Sequence, residues 1–284
     1  MTESFADLGR ILVIIPTYNE KENVERITAR VRASVPEAEI LIADDNSPDG
    51  TGQIADQLAE GDDHIKVLHR LGKEGLAAAY MAGFAWGLER GYDVLIEMDA
   101  DGSHQPEQLP TLLAALREAD LVLGSRWVPG GTVVNWPKSR EVLSRGGNLY
   151  TRLALSMPLK DATGGYRVFR ASTLRALELD GVASQGYCFQ VDMARRVVQA
   201  GLRVVEVPIT FMEREYGTSK MSGSIVREAL WRVTVWGTQE RAAKVRAAVS
   251  SARAKRAAAR TATPSADPVP SAGTTPSADP DAAE

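Results

Sequence analysis

Two aspartates, Asp99 and Asp101, follow directly on the apolar run Val94-Leu95-Ile96-Glu97-Met98. That run reads as a short buried strand. Acids spaced i, i+2 at its carboxyl end stand where open α/β sheets bind ligands. Neighbouring carboxylates repel each other and call for a counter-charge. A divalent cation meets that demand, since Mg²⁺ is commonly held by one or two carboxylates together with substrate phosphates. Two acids in a surface turn are also ordinary, so the pair gains meaning only from what the chain places around it.

Two other segments carry chemistry of the same kind. Pro16-Thr17-Tyr18-Asn19-Glu20 follows the apolar run Ile11 to Ile15. Tyr18 offers a ring face for a base and a polar tip, and Glu20 offers an acceptor near a helix start; a simple turn and cap would use the same residues. Asp44-Asp45-Asn46-Ser47-Pro48-Asp49-Gly50-Thr51 is dense in turn formers. Its aspartates can accept N–H bonds from a base edge, and Asn46, Ser47 or Asp49 can equally cap the next helix. No Gly-x-Gly-x-x-Gly opens the first helix and no Walker loop is present, which argues against NAD and P-loop ATP chemistry.

The elements that must position these residues alternate at short intervals. Strands are expected at Ile11 to Ile15, Glu39 to Ala43, Ile65 to Leu68, Val94 to Met98 and Leu121 to Arg126. Helices are expected over Glu22 to Val35, Thr51 to Glu60, Gly75 to Arg90 and Pro106 to Glu118. Such alternation predicts an α/β fold, a mainly parallel twisted sheet with helices on both faces. Right-handed crossovers then put every strand's carboxyl end on one rim. That rim collects Pro16 to Glu20, Asp44, Asp45, Lys73, Asp99 to Ser103 and Arg126.

Composition narrows the function classes. The 284 residues are 44% hydrophobic and 25% charged with a net charge of −4, so no bulk basic signature for nucleic acid exists. Cys188 is the single cysteine, which excludes an internal disulfide and suggests a reducing compartment. No signal peptide is expected at the start, and no apolar run approaches the roughly 18 residues of a membrane span. Arg241 to Arg260 carries seven Lys/Arg and no acid, whereas Thr261 to Glu284 carries four acids, five prolines and no base. The expected organisation is a catalytic domain over 1–240, a basic Ala/Arg-rich segment over 241–260 and a disordered tail over 261–284.

Taken together, Pro16-Thr17-Tyr18-Asn19-Glu20, Asp44 to Thr51 and Asp99-Ala100-Asp101 resemble the family 2 glycosyltransferases of the GT-A fold, the nucleotide-diphospho-sugar transferase type. More narrowly, the chain resembles the polyprenol (dolichol) monophosphate mannose synthases. Gly124-Ser125-Arg126, Ser144-Arg145-Gly146, Asp161 to Arg167, Gly186 to Gln190, Glu206 to Ile209 and Arg214 to Lys220 carry that closer likeness. The resemblance implies inverting transfer of mannose from GDP-mannose to polyprenyl phosphate, with Mg²⁺ or Mn²⁺ as cofactor. It implies that Pro16, Tyr18 and Glu20 hold the guanosine, with Ala43 and Asp45 closing over it. Asp99, Ala100 and Asp101 would meet the ribose, diphosphate and metal. Many relatives have Gln where this chain has Ser103, so a water bridge to the metal is the expectation there. Asp101, Arg126, Arg214 and Lys220 would be the catalytic set, the three cations facing the diphosphate or the acceptor phosphate.

The chemistry of the residues agrees. A departing diphosphate gains negative charge, which a divalent cation, Arg and Lys stabilise. A polyprenyl phosphate is already an anion and needs no general base, unlike a hydroxyl acceptor. Partners are then GDP-mannose, polyprenyl phosphate and a membrane surface, with a separate membrane-anchoring protein as a further candidate, and the expected location is peripheral, on the cytoplasmic side. Residues 225–236 form a candidate interfacial helix, with Val226, Ala229, Leu230 and Val233 on one face and Trp231 and Trp236 at the lipid boundary. An apolar lane beside cations between Val133 and Met157 is a second candidate acceptor region. Alternatives are a polyprenyl-phosphate glucosyltransferase using UDP-glucose, a sugar-phosphate nucleotidyltransferase, and a binding subunit without catalysis. The nucleotidyltransferase usually opens on a Gly-rich basic loop, which Pro16 to Glu20 is not.

Overall fold

The alternation expected from sequence builds a seven-stranded sheet in the order β3-β2-β1-β4-β7-β5-β8. The computed structural model describes residues 4–177, 179, 182, 187–214 and 223–261. Its strands are β1 (Ile11–Thr17), β2 (Glu39–Asp44), β3 (Ile65–His69), β4 (Val94–Glu97), β5 (Leu121–Ser125), β6 (Thr132–Val134), β7 (Arg167–Arg170), β8 (Val204–Pro208) and β9 (Thr210–Met212). The helices are α1 (Val24–Ser34), α2 (Thr51–Gly61), α3 (Leu76–Glu89), α4 (Leu109–Leu116), α5 (Lys138–Leu155), α6 (Ala171–Ala176), α7 (Tyr187–Gln199) and α8 (Gly223–Thr261). β6 and β9 form a separate parallel pair.

β1 pairs in parallel with β2 and β4, β2 with β3, and β5 with β8. β7 lies antiparallel between β4 and β5, so β4 and β5 still run the same way. The carboxyl ends of β1 to β5 and β8 therefore share one rim, as expected. The antiparallel insertion was not expected.

Period-two alternation fills both faces. Ile11, Val13 and Ile15 point into one apolar cluster with α1, α2 and α4, and Leu12 and Ile14 into another with α3 and α7. On β4, Val94 and Ile96 face the first cluster and Leu95 the second. Glu97 follows the parity of Leu95, and Gln190 of α7 donates to it at 2.8 Å. The same parity carries Asp99 toward α3.

α8 corrects the expected interfacial helix in part. Val233 is buried at 2% and Trp236 packs against the second cluster, with the Arg195 guanidinium 5.1 Å from its ring. Of the expected lipid-facing residues whose side chains are described, only Leu230 and Trp231 stand exposed. The cause is α5: Tyr150 Oη lies 2.6 Å from Thr234 Oγ1, and Gly237 comes so close to Ala154 that a Cβ would sit 2.6 Å from its carbonyl oxygen. The side chain of Val226 lies outside the described residues. Compact units divide at Gln239 and Glu240, and no helix among the described residues is long and apolar enough to cross a membrane.

Candidate active site

The turn after β4 is held from three sides. Gly102 has φ +75° and reverses the chain, which brings His104 back to the strand end. The Asp99 N–H donates to His104 Nδ1 at 3.0 Å, and Tyr80 Oη on α3 donates to Asp99 Oδ1 at 3.0 Å. Asp101 Oδ1 accepts from the Ser103 N–H at 3.0 Å, and Met212 N–H of β9 donates to the Ser103 carbonyl at 3.2 Å. The two carboxylates are thus fixed by their inner oxygens.

His104 is 1% exposed and stacks on Tyr166 with centroids 4.7 Å apart. Burial pushes its pKa down, against the opposing pull of Asp99 and Asp101. A ring that is neutral and accepts at Nδ1 carries its proton on Nε2, and that atom stands 3.9 Å from Asp99 Oδ2. Desolvation pushes the Asp99 carboxyl up, and the Asp101 charge adds to that, while His104 and Tyr80 pull the other way. Neither His104 nor Tyr80 is among the residues singled out from the sequence. The glycine turn that folds His104 back was the available signal.

Two carboxylates this close, with the Asp99 carboxyl raised in this way, call for positive charge, and their hard oxygens suit Mg²⁺ or Mn²⁺. Among the described residues no group of three or more His, Cys, Asp or Glu is placed to hold a metal. Two carboxylates side by side fit a divalent cation on the condition that substrate phosphates complete its shell. Ser103 is 2% exposed, which leaves it an inner support of Asp101. Ala100 is 4% exposed and packs in the first apolar cluster, so only its backbone is available to a ligand.

Arg214, just beyond β9, places Nη2 3.2 Å from Asp101 Oδ2. Lys220 lies outside the described residues. Arg126 departs from expectation. It is 5% exposed, and its Nε and Nη2 donate to the two oxygens of Asp161, each at 2.7 Å. The Arg126 N–H also donates to Asp161 Oδ2 at 2.9 Å, and Nη2 to Thr163 Oγ1 at 2.9 Å. Burial would raise the Asp161 pKa, but the Arg126 charge and these hydrogen bonds outweigh it and hold it below the ordinary range. Arg126 is thus a buried, bidentate anchor between β5 and the segment before β7, rather than a cation facing a phosphate. Arg167, fully buried, supports the same segment by donating to the carbonyls of Gly164 and Ala162, both at 2.8 Å.

On the other half of the rim, Pro16 and Ala43 pair in register across β1 and β2. Asn19 and Asn46, each in the left-handed region, turn the chain after these strands. Asp45 is engaged by Arg70, which also bonds Glu74 at 2.6 Å. Burial pushes the Asp45 carboxyl up, with Arg70 opposing. The Tyr18 ring has the Lys73 ammonium 4.0 Å from its centroid. Glu20 accepts from Asn23 Nδ2 at 2.7 Å, and its N–H donates to Thr51 Oγ1 at 3.0 Å, which ties the first rim turn to α2.

Comparison with known proteins gives three findings. The family described as Glycosyl transferase family 2 matches residues 12–177. Among curated proteins, the undecaprenyl-phosphate mannosyltransferase of Micrococcus luteus is 61% identical over 232 residues, which is 82% of this chain and 96% of that protein. The polyprenol monophosphomannose synthase of Mycolicibacterium smegmatis is 55% identical over 242 residues, 84% of this chain and 91% of the relative. Among solved structures, glucosyl-3-phosphoglycerate synthase from Mycobacterium tuberculosis, crystallised with Mn²⁺, uridine-diphosphate-glucose and phosphoglyceric acid, superposes with a TM-score of 0.62. It is 17% identical and covers 83% of this chain and 84% of its own, a likeness of fold.

Proposed function

The chain belongs to glycosyl transferase family 2, and from that premise we propose that it moves mannose from GDP-mannose to polyprenyl phosphate, releasing GDP. It is an enzyme of the GT-A fold. The observation that carries the reading is the acid pair Asp99 and Asp101 at the carboxyl end of β4, with Arg214 3.2 Å from Asp101. Acids and a cation side by side suit a diphosphate that arrives with a divalent metal and leaves with more charge than it had.

The residues divide the work. Asp99 and Asp101 would hold Mg²⁺ or Mn²⁺, which supplies charge stabilisation to the departing diphosphate. His104 and Tyr80 hold Asp99, and the Ser103 N–H holds Asp101, so the carboxylates need little rearrangement on binding. Arg214 supplies a planar guanidinium to phosphate oxygens, and Lys220 is the further cation of the motif it closes. Pro16, Tyr18, Glu20, Ala43 and Asp45 bind the guanosine, with Lys73 moving from the Tyr18 ring when a base takes its place. The acceptor phosphate attacks the anomeric carbon as an anion, so no side chain has to take a proton. His104 fits this division, being buried and engaged with Asp99 instead of standing open to an acceptor.

A single displacement inverts configuration, so GDP-α-mannose should give the β-mannosyl phosphate. NMR of the isolated lipid product tests this: an α-linked product would contradict the single displacement. Calorimetry with GDP and UDP tests the base assignment, and tighter binding of UDP would overturn the donor in favour of UDP-glucose.

The enzyme reaches its lipid substrate as a peripheral protein. α5 leaves Val142, Leu143, Leu149 and Leu153 exposed, and α8 adds Leu230 and Trp231. Solvent-exposed apolar residues on two helices joined by the Tyr150–Thr234 contact suit a bilayer interface. A separate membrane-anchoring protein can share that task.

A further inference from the structure

Between α5 and the exit of β5 lies a cavity of about 180 Å³ lined by Trp127, Arg145, Asn148, Leu149, Arg152 and Lys160. The four α5 residues recur at i, i+3, i+4 and i+7, so they share one helix face. Three of the six lining residues are cations and none is an acid. Arg145 bonds Glu141 at 2.8 Å and lies 4.2 Å from the Trp127 ring centroid. The side chains of Arg152 and Lys160 have no hydrogen bond or ion pair among the described residues. The cation that α5 turns toward the rim is a different one: Arg140, which bonds both carboxylate oxygens of Glu213.

The cavity adjoins the exposed apolar strip. Leu149, 49% exposed, belongs to both, and Val142 at 70% and Leu153 at 62% continue the strip along α5. A soluble anion would have no use for exposed Leu and Val beside its site. A lipid presents both chemistries at once, an anionic phosphate and, just below it, an apolar boundary.

We propose that this cavity binds the headgroup phosphate of an anionic membrane phospholipid while the apolar strip of α5 enters the interface. The inference rests on the peripheral membrane reading above and deepens it. Arg152 and Lys160 meet the phosphate, Leu149 marks the level at which headgroup gives way to acyl chain, and the protein is oriented with α5 against the bilayer. Charge near an anionic surface attracts Lys and Arg, and the cavity adds a fixed place for one headgroup.

The test is binding of the full chain to vesicles that contain no polyprenyl phosphate, either phosphatidylcholine alone or phosphatidylcholine and phosphatidylglycerol in equal parts. The wild type should prefer the anionic vesicles, and R152Q/K160Q should reduce that affinity about 30-fold, as loss of two cations at the surface implies. K160E, a single exposed change on another element, should act in the same direction. R175Q/R203Q removes equal charge at the opposite rim, where Arg203 leads into β8 and Arg175 lies on α6, and should stay near wild type. Equal loss in both double variants, or none in R152Q/K160Q, would overturn the proposal. Binding of glycerol phosphate or inorganic phosphate by the wild type with no preference among vesicles would make this a soluble-anion site and overturn it too. Transfer by the wild type to polyprenyl phosphate dispersed in neutral detergent is measured in parallel. Its failure would count against the mannosyltransferase reading, whereas normal transfer with unaltered vesicle preference would count against the cavity alone.

Discussion

Replacing Arg126 with Met would leave the Asp161 carboxylate buried without its partner. Breaking a buried pair from one side costs about 3–5 kcal/mol, whereas replacing both members with apolar groups is often near neutral. R126M should therefore unfold at markedly lower denaturant, and R126M/D161L should recover most of the loss; similar midpoints for R126M and wild type would contradict the anchor. The same pair makes a pH statement. Asp161 has a depressed folded pKa, so its stabilisation is present above the ordinary carboxylate value of about 3.9 and is lost as pH falls through the folded value. His104 carries a second residue-level prediction. H104A removes the acceptor of the Asp99 N–H, and loss of such a support costs about 10–100-fold in metal affinity or activity. Mn²⁺ titration of the transfer rate should show a raised metal requirement, with H104N recovering part of it. An unchanged requirement would remove His104 from the site.

At the scale of elements, α3 matters because it carries Tyr80 to Asp99. Gly83 lets it approach β1: a Cβ there would lie 2.5 Å from Ile14 Cγ2. G83A should force the helix outward, costing about 1–3 kcal/mol of stability and lowering activity by loosening the Tyr80 contact. Melting and kcat measured together check this, and full stability with full activity would contradict it. The strands β1, β2, β4 and β5 are legible in the sequence because each contains a run of apolar residues buried on both faces, and β3, an edge strand buried fully only at Ile65, is legible from its short apolar stretch Ile65 to Leu68 between turns. β7 is not, because Arg167-Val168-Phe169-Arg170 begins and ends in charge. Its arginines become acceptable in a sheet through carbonyls supplied by Ala162 and Gly164 for Arg167, with the Glu97 and Asp161 charges beside it, and by Leu116, Arg117 and Ala119 for Arg170. The site divides in the same way. Asp99 and Asp101 are legible from type and spacing and Arg214 from the family resemblance, whereas Tyr80, His104 and the Arg126–Asp161 pair depend on contacts between residues brought together by the fold.

At the scale of the molecule, the acidic and basic residues are distributed so that the two ends of the task are served separately. The rim collects acids, the guanidiniums of Arg70 and Arg214 and the turns after β1 and β2, while α5 and α8 expose apolar residues, and the stretch Arg241 to Arg260 adds seven cations without an acid. Basic residues near an anionic bilayer contribute about 1 kcal/mol each, and the attraction is screened by salt. Deleting residues 241–284 should therefore weaken binding to anionic vesicles at low salt and bring it close to the full chain's binding at high salt. Identical co-sedimentation of the two forms at low salt would exclude a membrane role for this segment.

The central claim is mannosyl transfer to a polyprenyl phosphate with the acid pair at its centre. Its most direct test gives purified protein radiolabelled GDP-mannose or UDP-glucose, polyprenyl phosphate and Mg²⁺ or Mn²⁺, and follows label into organic-extractable lipid, with D101A alongside. Metal-dependent label from GDP-mannose alone, abolished in D101A, is the result expected. Label from UDP-glucose alone, or full activity in D101A, would contradict the account.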